Sequence, residues 1–492
     1  MAVAEGTAGA AAPQAGSAEG TFAPPARVKF FYSLGQIVES GYLIVNTFVF
    51  FYYTAVLGLS GSMVGLAVAI SLTLDAVADP LIGSWSDSIR SKYGRRLPLM
   101  LIGAPLTFLT MGLLFAPPTG FSPFLLFVWL TAMKMSLRAF ASVYNIPFFA
   151  LGGELADGYQ ERAKIVGYRL LGGVVATIVI TALAYSVFFA GEGGLQRPDR
   201  YPAFGWVMGA LIMAVGLIAC VGIWRYAAGL AQPTEAPEPM IRRLPGELAE
   251  VFRNPSFRIL FFSMLLFTSG AGVHGALNNH NYVFVWQLKP EWIQFILYAQ
   301  LISIGVGVPL TPHLLRYMEK KTACLLGFAT VIVAWIVLPT IRAAGLFAPT
   351  GTEALLWLII TTIFVGLGSG VIFVALPSMM SDAADDHEYR FGSRREGLYF
   401  SGLGFAGKAA GGVGNLVGGV TLDLLRFPRE VGRQVGAVIS EDVLAGLVIA
   451  WGPFCAGITF VGALIFAPYA INRARHDVIM QELRRRRAAA AS

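Results

Sequence analysis

Charged residues are scarce in this chain of 492 residues. Aspartate, glutamate, lysine and arginine together make up only 13% of it, against 56% hydrophobic residues. A soluble domain carries roughly 25% charged residues, so most of this chain meets lipid or packed helices rather than water. Cysteine is nearly absent. Cys220, Cys324 and Cys455 each lie in an apolar stretch without metal-ligand or redox spacing, and they read as small core residues. There is no H-E-x-x-H, no G-x-S-x-G and no Cys/His cluster. The chain is therefore expected to be neither an enzyme nor the holder of a metal or organic cofactor. The net charge of +7 does not point to nucleic acid, because the basic residues sit in short turns between apolar runs. Residues 1–26 have no basic start followed by an apolar run, and they read as a disordered Ala/Gly/Ser-rich tail rather than a signal peptide.

What is present is a series of apolar runs long enough to span a bilayer, which takes about 20 residues as a helix. They are far too long for barrel strands, so the expectation is an all-α polytopic membrane protein. The spans are placed at 28–55, 61–86, 97–116, 122–151, 163–190, 203–226, 258–285, 291–314, 322–341, 352–380, 394–424 and 442–470. Most of the 36 lysines and arginines fall on one side of these spans, which predicts both termini in the cytoplasm. The longest connection, 227–257, holds Pro233, Pro237, Pro239 and Pro245 and an amphipathic stretch near Leu248–Phe257. It divides the chain into a bundle of six spans at 27–226 and a second at 258–471, followed by a basic tail at 472–492. Two such bundles suit a site between them near the midplane.

Charges inside a span cost about 2.5–3.5 kcal/mol on insertion scales, so they mark candidate functional positions. Asp75-Ala-Val-Ala-Asp79-Pro80 puts two carboxylates on one helix face. So placed, they share a proton or bind a cation, or else they form a helix-end pair solvated by water. In the fourth span, Lys134 and Arg138 repel each other one turn apart, and one of them is expected to snorkel or to pair with Glu39. With Asn145 they could also form a cationic cavity for an anionic solute. Asn278-Asn279-His280-Asn281-Tyr282 suits a hydroxylated ligand, with Gln300 able to join, or else interhelical hydrogen bonding. Asp87, followed by Arg95 and Arg96, could latch one conformation across a short turn. Gly402-Leu-Gly-Phe-Ala-Gly-Lys408 satisfies two phosphate-loop patterns, but it lies inside a span, and Ala409 stands where Ser or Thr is needed. Close helix packing is the better account of these glycines.

The run Asp75-x-x-x-Asp79-Pro80-x-x-Gly83-x-x-x-Asp87 with Gly94-Arg95-Arg96-x-Pro98 resembles the glycoside–pentoside–hexuronide:cation symporter family of the major facilitator fold. Three more stretches agree. They are Ile146-Pro-Phe-Phe-Ala-Leu151 with Glu154, Glu161-Arg162 and Tyr168-Arg169; Asp382-x-x-Asp385 with Arg394-Arg395-Glu396-Gly397; and Lys408. The resemblance spans roughly residues 28–470. It implies twelve transmembrane helices in two six-helix bundles, and uptake of a small solute driven by Na+ or H+ in a monomer of the cell (inner) membrane. It also implies a cation site of Asp75, Asp79 and Ser142 with Lys408 beside it, and solute contacts at Arg169, Asn145 and Phe149. Glu39, Arg138, Asn279, His280 and Gln300 join the solute set from the polar-residue reading, and Asp87, Arg95, Arg96, Arg394, Arg395 and Glu396 are the gating candidates. Asn145 and Phe149 replace a galactoside-binding aspartate and a sugar-stacking tryptophan of melibiose-carrying members. Ala78 replaces a cation-site asparagine, which leaves the coupling ion open. Animal lysophospholipid symporters have a run similar to that at 147–169, so an amphiphilic solute is an alternative, as is a non-transporting sensor.

Overall fold

The structure is a computed structural model, which describes residues 23–156, 158–230, 250–393, 395–429, 431 and 438–491. The expected N-terminal tail, most of the 227–257 connection, and Arg394 lie outside these residues. Among the described residues all regular structure is helical. The long helices are α1 (Ala26–Val56), α2 (Gly61–Ser88), α3 (Leu97–Phe115), α4 (Pro123–Glu154), α5 (Gln160–Phe188) and α6 (Arg200–Ala227). There follow α7 (Pro255–Val285), α8 (Pro290–Leu314), α9 (Lys320–Ala343), α10 (Gly351–Phe391), α11 (Glu396–Leu424), α12 (Glu441–Phe466) and α13 (Arg473–Ala491).

Local chemistry starts these helices. Ser60 and Ser122 accept from the backbone N–H groups of Met63 and Leu125, and Asn254 accepts from Ser256 N–H at 2.8 Å. Pro98, Pro123, Pro255 and Pro290 occupy first turns, where a missing N–H costs nothing. Ten of the helices are long and apolar enough to cross a membrane. Two further helices, α2 and α11, have 28 and 29 residues. Helix α2 is apolar over Gly61–Asp75, and α11 is less apolar because it carries Lys408, Asn415 and many glycines.

Packing divides the helices into two sets. In the first, α3 packs on α4 and α6, α2 on α4, and α1 on α5 and α6. In the second, α10 packs on α8 and α9, α7 on α11 and α12, and α9 on α12. The sets meet where α2 lies on α11, α1 on α7, and α5 on α8. The α2–α11 seam is backbone against backbone at one end. A Cβ added at Gly61 would strike the carbonyl of Gly419, and one at Gly419 would strike that of Gly61. The Asp423 carboxylate, at the end of α11, accepts from the Gly61 and Ser62 N–H groups at 2.9 and 2.8 Å. It thus caps a helix of the other set.

Two boundaries differ from the sequence reading. Helix α10 runs to Phe391, beyond the expected end at 380, because its last turns are held by ion pairs rather than lipid: Lys320 Nζ to Asp382 at 2.7 Å, and Arg390 to Asp386 at 2.7 Å. The arginine-rich tail is a helix whose Arg486 donates to the Tyr389 carbonyl at 2.9 Å and whose Arg487 pairs with Glu388 at 2.8 Å. Gly419→Val should force α2 and α11 apart, at an overpacking cost of about 1–3 kcal/mol. The expected result is a lower thermal midpoint and faster labelling of a single cysteine placed at Ser62, in a chain otherwise free of cysteine. Unchanged labelling would show that the seam does not need the glycine.

Candidate functional site

Charged side chains of α2, α4 and α11 converge on Asp75. The Asp75 side chain has no solvent exposure. Its Oδ2 receives Arg138 Nη2 at 2.6 Å from α4 and Lys408 Nζ at 2.7 Å from α11. Its Oδ1 accepts from the Ser142 hydroxyl at 3.1 Å. One turn along α2, Asp79 pairs with the same Lys408 through Oδ2, while its buried Oδ1 has no hydrogen-bond partner among the described residues. Lys408 therefore ties two carboxylates of the first helix set to the second. The i, i+4 spacing of the acids makes this bidentate grip possible, since both point from one face.

The rest of the fourth-span constellation is spread over separate partners. Glu39 of α1 accepts from the Asn145 amide. Lys134, fully buried, donates to Asn46 of α1. The expected pairing of Glu39 with Lys134 or Arg138 does not form, because an acid of α2 reaches Arg138 first and amides take up the other two. The Tyr42 ring lies 5.1 Å from the Arg138 guanidinium and 5.7 Å from the Lys134 ammonium, within cation–π range of both. Deeper toward the basic face, Arg169 lies over the Phe149 ring at 4.9 Å, and that residue is 37% exposed. A flat apolar face thus lies beside a planar donor.

The polar run of α7 splits by helical register. Asn279 and His280 turn toward the first helix set. Asn279 accepts from the Tyr185 hydroxyl at 3.2 Å and donates to the Thr47 carbonyl at 3.1 Å. His280 Nε2 meets Thr54 Oγ1 at 2.8 Å, with its ring between Phe51 and Phe427 at 5.0 and 5.4 Å. Gln294 donates to Ser186 at 2.7 Å, and Glu291 accepts from the Gly191 N–H at 2.7 Å. These contacts close the face opposite the basic turns. Gln300 goes elsewhere. It lines a small pocket with His274, Asn278, Tyr282, Trp335 and Trp451, in which the His274 ring stacks between the two tryptophans at 4.8 and 4.5 Å. Asn279, His280 and Gln300 therefore do not share one site. Adjacent helical residues point about a quarter-turn or more apart, so a run of polar residues does not make a common surface.

On the basic face the described ion pairs run within a helix set. Arg96 reaches Asp87 at 2.5 Å and Glu154 at 2.7 Å, Arg95 reaches Glu154 at 2.7 Å, and Arg96 donates to Ser86 at 2.8 Å. The expected gating trio is thus brought together around Glu154. In the second set, Arg395 lies 3.5 Å from Glu250, which also meets His387 and Ser393. The Ser393 hydroxyl beside Glu250 holds its carboxyl below the usual range, with help from His387 and Arg395. Glu396 begins α11, ahead of the point where that helix meets Phe257 at Gly402. Missed by sequence reasoning were Asp423, Tyr42, Asn46 and the role of Glu154 as a hub. Asp423 is the acid at the end of a glycine-rich span, but nothing local shows that it faces another helix's N-terminus.

Comparison with known proteins agrees with this architecture. The chain matches the family described as MFS/sugar transport protein over residues 33–473. It is similar to the isoprimeverose transporter of Lactiplantibacillus pentosus, with 27% identity over 80% of this chain and 79% of that one. It is also similar to the raffinose carrier protein of Pediococcus pentosaceus, with 23% identity over 92% and 69%. The glucuronide carrier protein homolog of Escherichia coli is 22% identical over 93% and 95%. Among solved structures, a point mutant of the nucleoside transporter NupG superimposes with a TM-score of 0.61 at 17% identity, over 90% of this chain and 99% of that one. A point mutant of the peptide transporter POT gives a TM-score of 0.62 at 14% identity, over 89% and 93%. At such identities these two speak for the fold alone. The family match runs through both helix sets and takes in the buried ion pairs between them, and by it this multi-pass membrane chain belongs to the MFS/sugar transport protein family.

Proposed function

We propose that the protein is a symporter that moves a glycoside, pentoside or hexuronide into the cell together with Na+ or H+, by alternating access between the two helix sets. The observation that carries the reading is Lys408 of α11 gripping both Asp75 and Asp79 of α2. A cation arriving at these acids changes a charged tie between the sets, so ion binding and rearrangement are a single event. Relatives named for isoprimeverose, raffinose and glucuronide support a sugar-type solute. Phe149 with Arg169 supplies what such a solute needs, an apolar face for ring C–H groups and a donor for hydroxyls.

Helices α1 to α12 are taken as twelve spans, with α2 and α11 completing the ten apolar ones, and with the basic face and both termini in the cytoplasm. In this orientation the Thr54–His280 and Tyr185–Asn279 contacts seal the outer face, and the site communicates with the inside. The two bundles at 27–226 and 258–471 rock about the α2–α11, α1–α7 and α5–α8 seams. Asp87, Arg95, Arg96 and Glu154 hold the inner end of one bundle together as the opening changes. One monomer contains all of these parts.

In proteoliposomes, Asp75→Asn is expected to abolish accumulation of a radiolabelled glycoside against its gradient, while sparing exchange of internal for external solute. Accumulation at the wild-type level would remove Asp75 from the coupling site. Arg169→Ala should weaken binding of that glycoside by at least about tenfold, on the scale of one charged hydrogen bond of roughly 1.5–3 kcal/mol. Calorimetric titration of the purified protein measures this, and unchanged affinity would place the solute elsewhere.

A further inference from the structure

The acids around Asp75 already have resident cations. Asp75 meets Arg138 and Lys408, and Asp79 meets Lys408, while Glu39 and Lys134 are held by the amides of Asn145 and Asn46. Arg138 does not deprotonate in proteins and is a permanent cation. At 2.6 Å from Asp75 Oδ2, and beside Lys408 at 2.7 Å from the same oxygen, it stands where a metal cation would have to stand. With Ser142 on Oδ1, Asp75 has ligands on both oxygens. Sodium, a hard cation, needs several oxygens at contact distance. To reach Asp75 it would have to displace two side-chain cations, or sit against them and be repelled.

A proton asks for much less. It needs one lone pair, and Asp79 Oδ1 is a buried acceptor without a hydrogen-bond partner among the described residues. The charged and titratable groups around Asp79 are Lys408 from α11, Arg138 from α4, Glu39 from α1 and Asp75 on its own helix. The Asp79 side chain keeps 19% exposure and Lys408 31%, against none for Asp75.

Resting on the symport reading above, we propose that Arg138 is a tethered cation that takes the place of sodium at Asp75, and that the transported ion is a proton carried on Asp79. Uptake converts the Asp79 carboxylate to a neutral carboxyl and leaves Lys408 with Asp75 alone. Release on the other side returns the proton to water and restores the bidentate tie. Arg138 is the residue that specifies the ion, without itself gaining or losing charge.

The test compares thermal midpoints of the purified full-length protein in sodium chloride and in choline chloride at equal ionic strength and pH. The wild type is expected to be indifferent to the exchange. Arg138→Gln should gain sodium-dependent stabilisation, and Arg138→Lys should stay indifferent. Proteoliposomes then receive a labelled glycoside under an inward proton gradient or an inward sodium gradient. A gradient of about one pH unit should drive accumulation up to about tenfold, and a sodium gradient none. Asp79→Asn should lose the proton-driven part only. Sodium stabilisation of the wild type, or accumulation driven by sodium, would overturn the proposal, and both need only the unmodified protein if a variant fails to fold. Should no glycoside move under either gradient, the symport reading fails, while the sodium comparison still decides what occupies Asp75.

Discussion

Asp75 is a carboxylate with no exposed side-chain surface, inside a helix that packs on two others, and the arrangement of the interior follows from satisfying it. An isolated ionised carboxylate in such surroundings is prohibitively costly, whereas one that receives a guanidinium, an ammonium and a hydroxyl is tolerated. Those three donors come from α4 and α11. Meeting the need of one residue thus fixes how α2 sits against a helix of its own set and against a helix of the other. The neighbouring charges are then distributed among what is left: Glu39 to Asn145, Lys134 to Asn46, and Asp79 to the spare reach of Lys408. Buried pairs of this kind contribute little net stability. What they contribute is a unique arrangement that ionic events can alter.

The seams between the two helix sets divide the labour along the length of the helices. At the end away from the basic turns, α2 and α11 meet through Gly61 and Gly419 with Asp423 as a cap. At the middle, the same two helices meet through Lys408. Toward the basic face the described ion pairs stay within a set. The ion pairs and short hydrogen bonds of these seams can be broken and remade with modest changes in each group. The π-helical turns at Tyr52–Val56, Leu183–Phe188 and Asn281–Val285 fall in the closure opposite the basic turns, where a wider turn re-aims Thr54 and leads out of His280.

Much of this was legible in the chain itself. The apolar runs were found nearly in place because hydrophobic length is a property of the chain alone. The exceptions were ends such as that of α10, where ion pairs carry a helix past the lipid. Asp75, Asp79 and Lys408 stood out because charge within an apolar run is costly wherever the run packs. The charge trio Asp87, Arg95 and Arg96 was equally visible, though its hub, Glu154, sits at the end of another span.

The pairing of charges was not legible. Spacing along the fourth span put Lys134 and Arg138 on one face and offered Glu39 to either, and the fold sent Arg138 to Asp75 and Glu39 to an amide. Nor could spacing separate Asn279 and His280, which close the face opposite the basic turns, from Gln300, which lines a pocket among the tryptophans. Composition and short patterns along single helices were enough to establish that this chain crosses a membrane many times, that it belongs with the sugar transporters, and that a few charges had to be hidden inside. Which charge neutralises which emerged from the folded arrangement alone. A carboxylate's partner is the cation that packing brings nearest, and for Asp75 that cation lies 63 residues away in the chain.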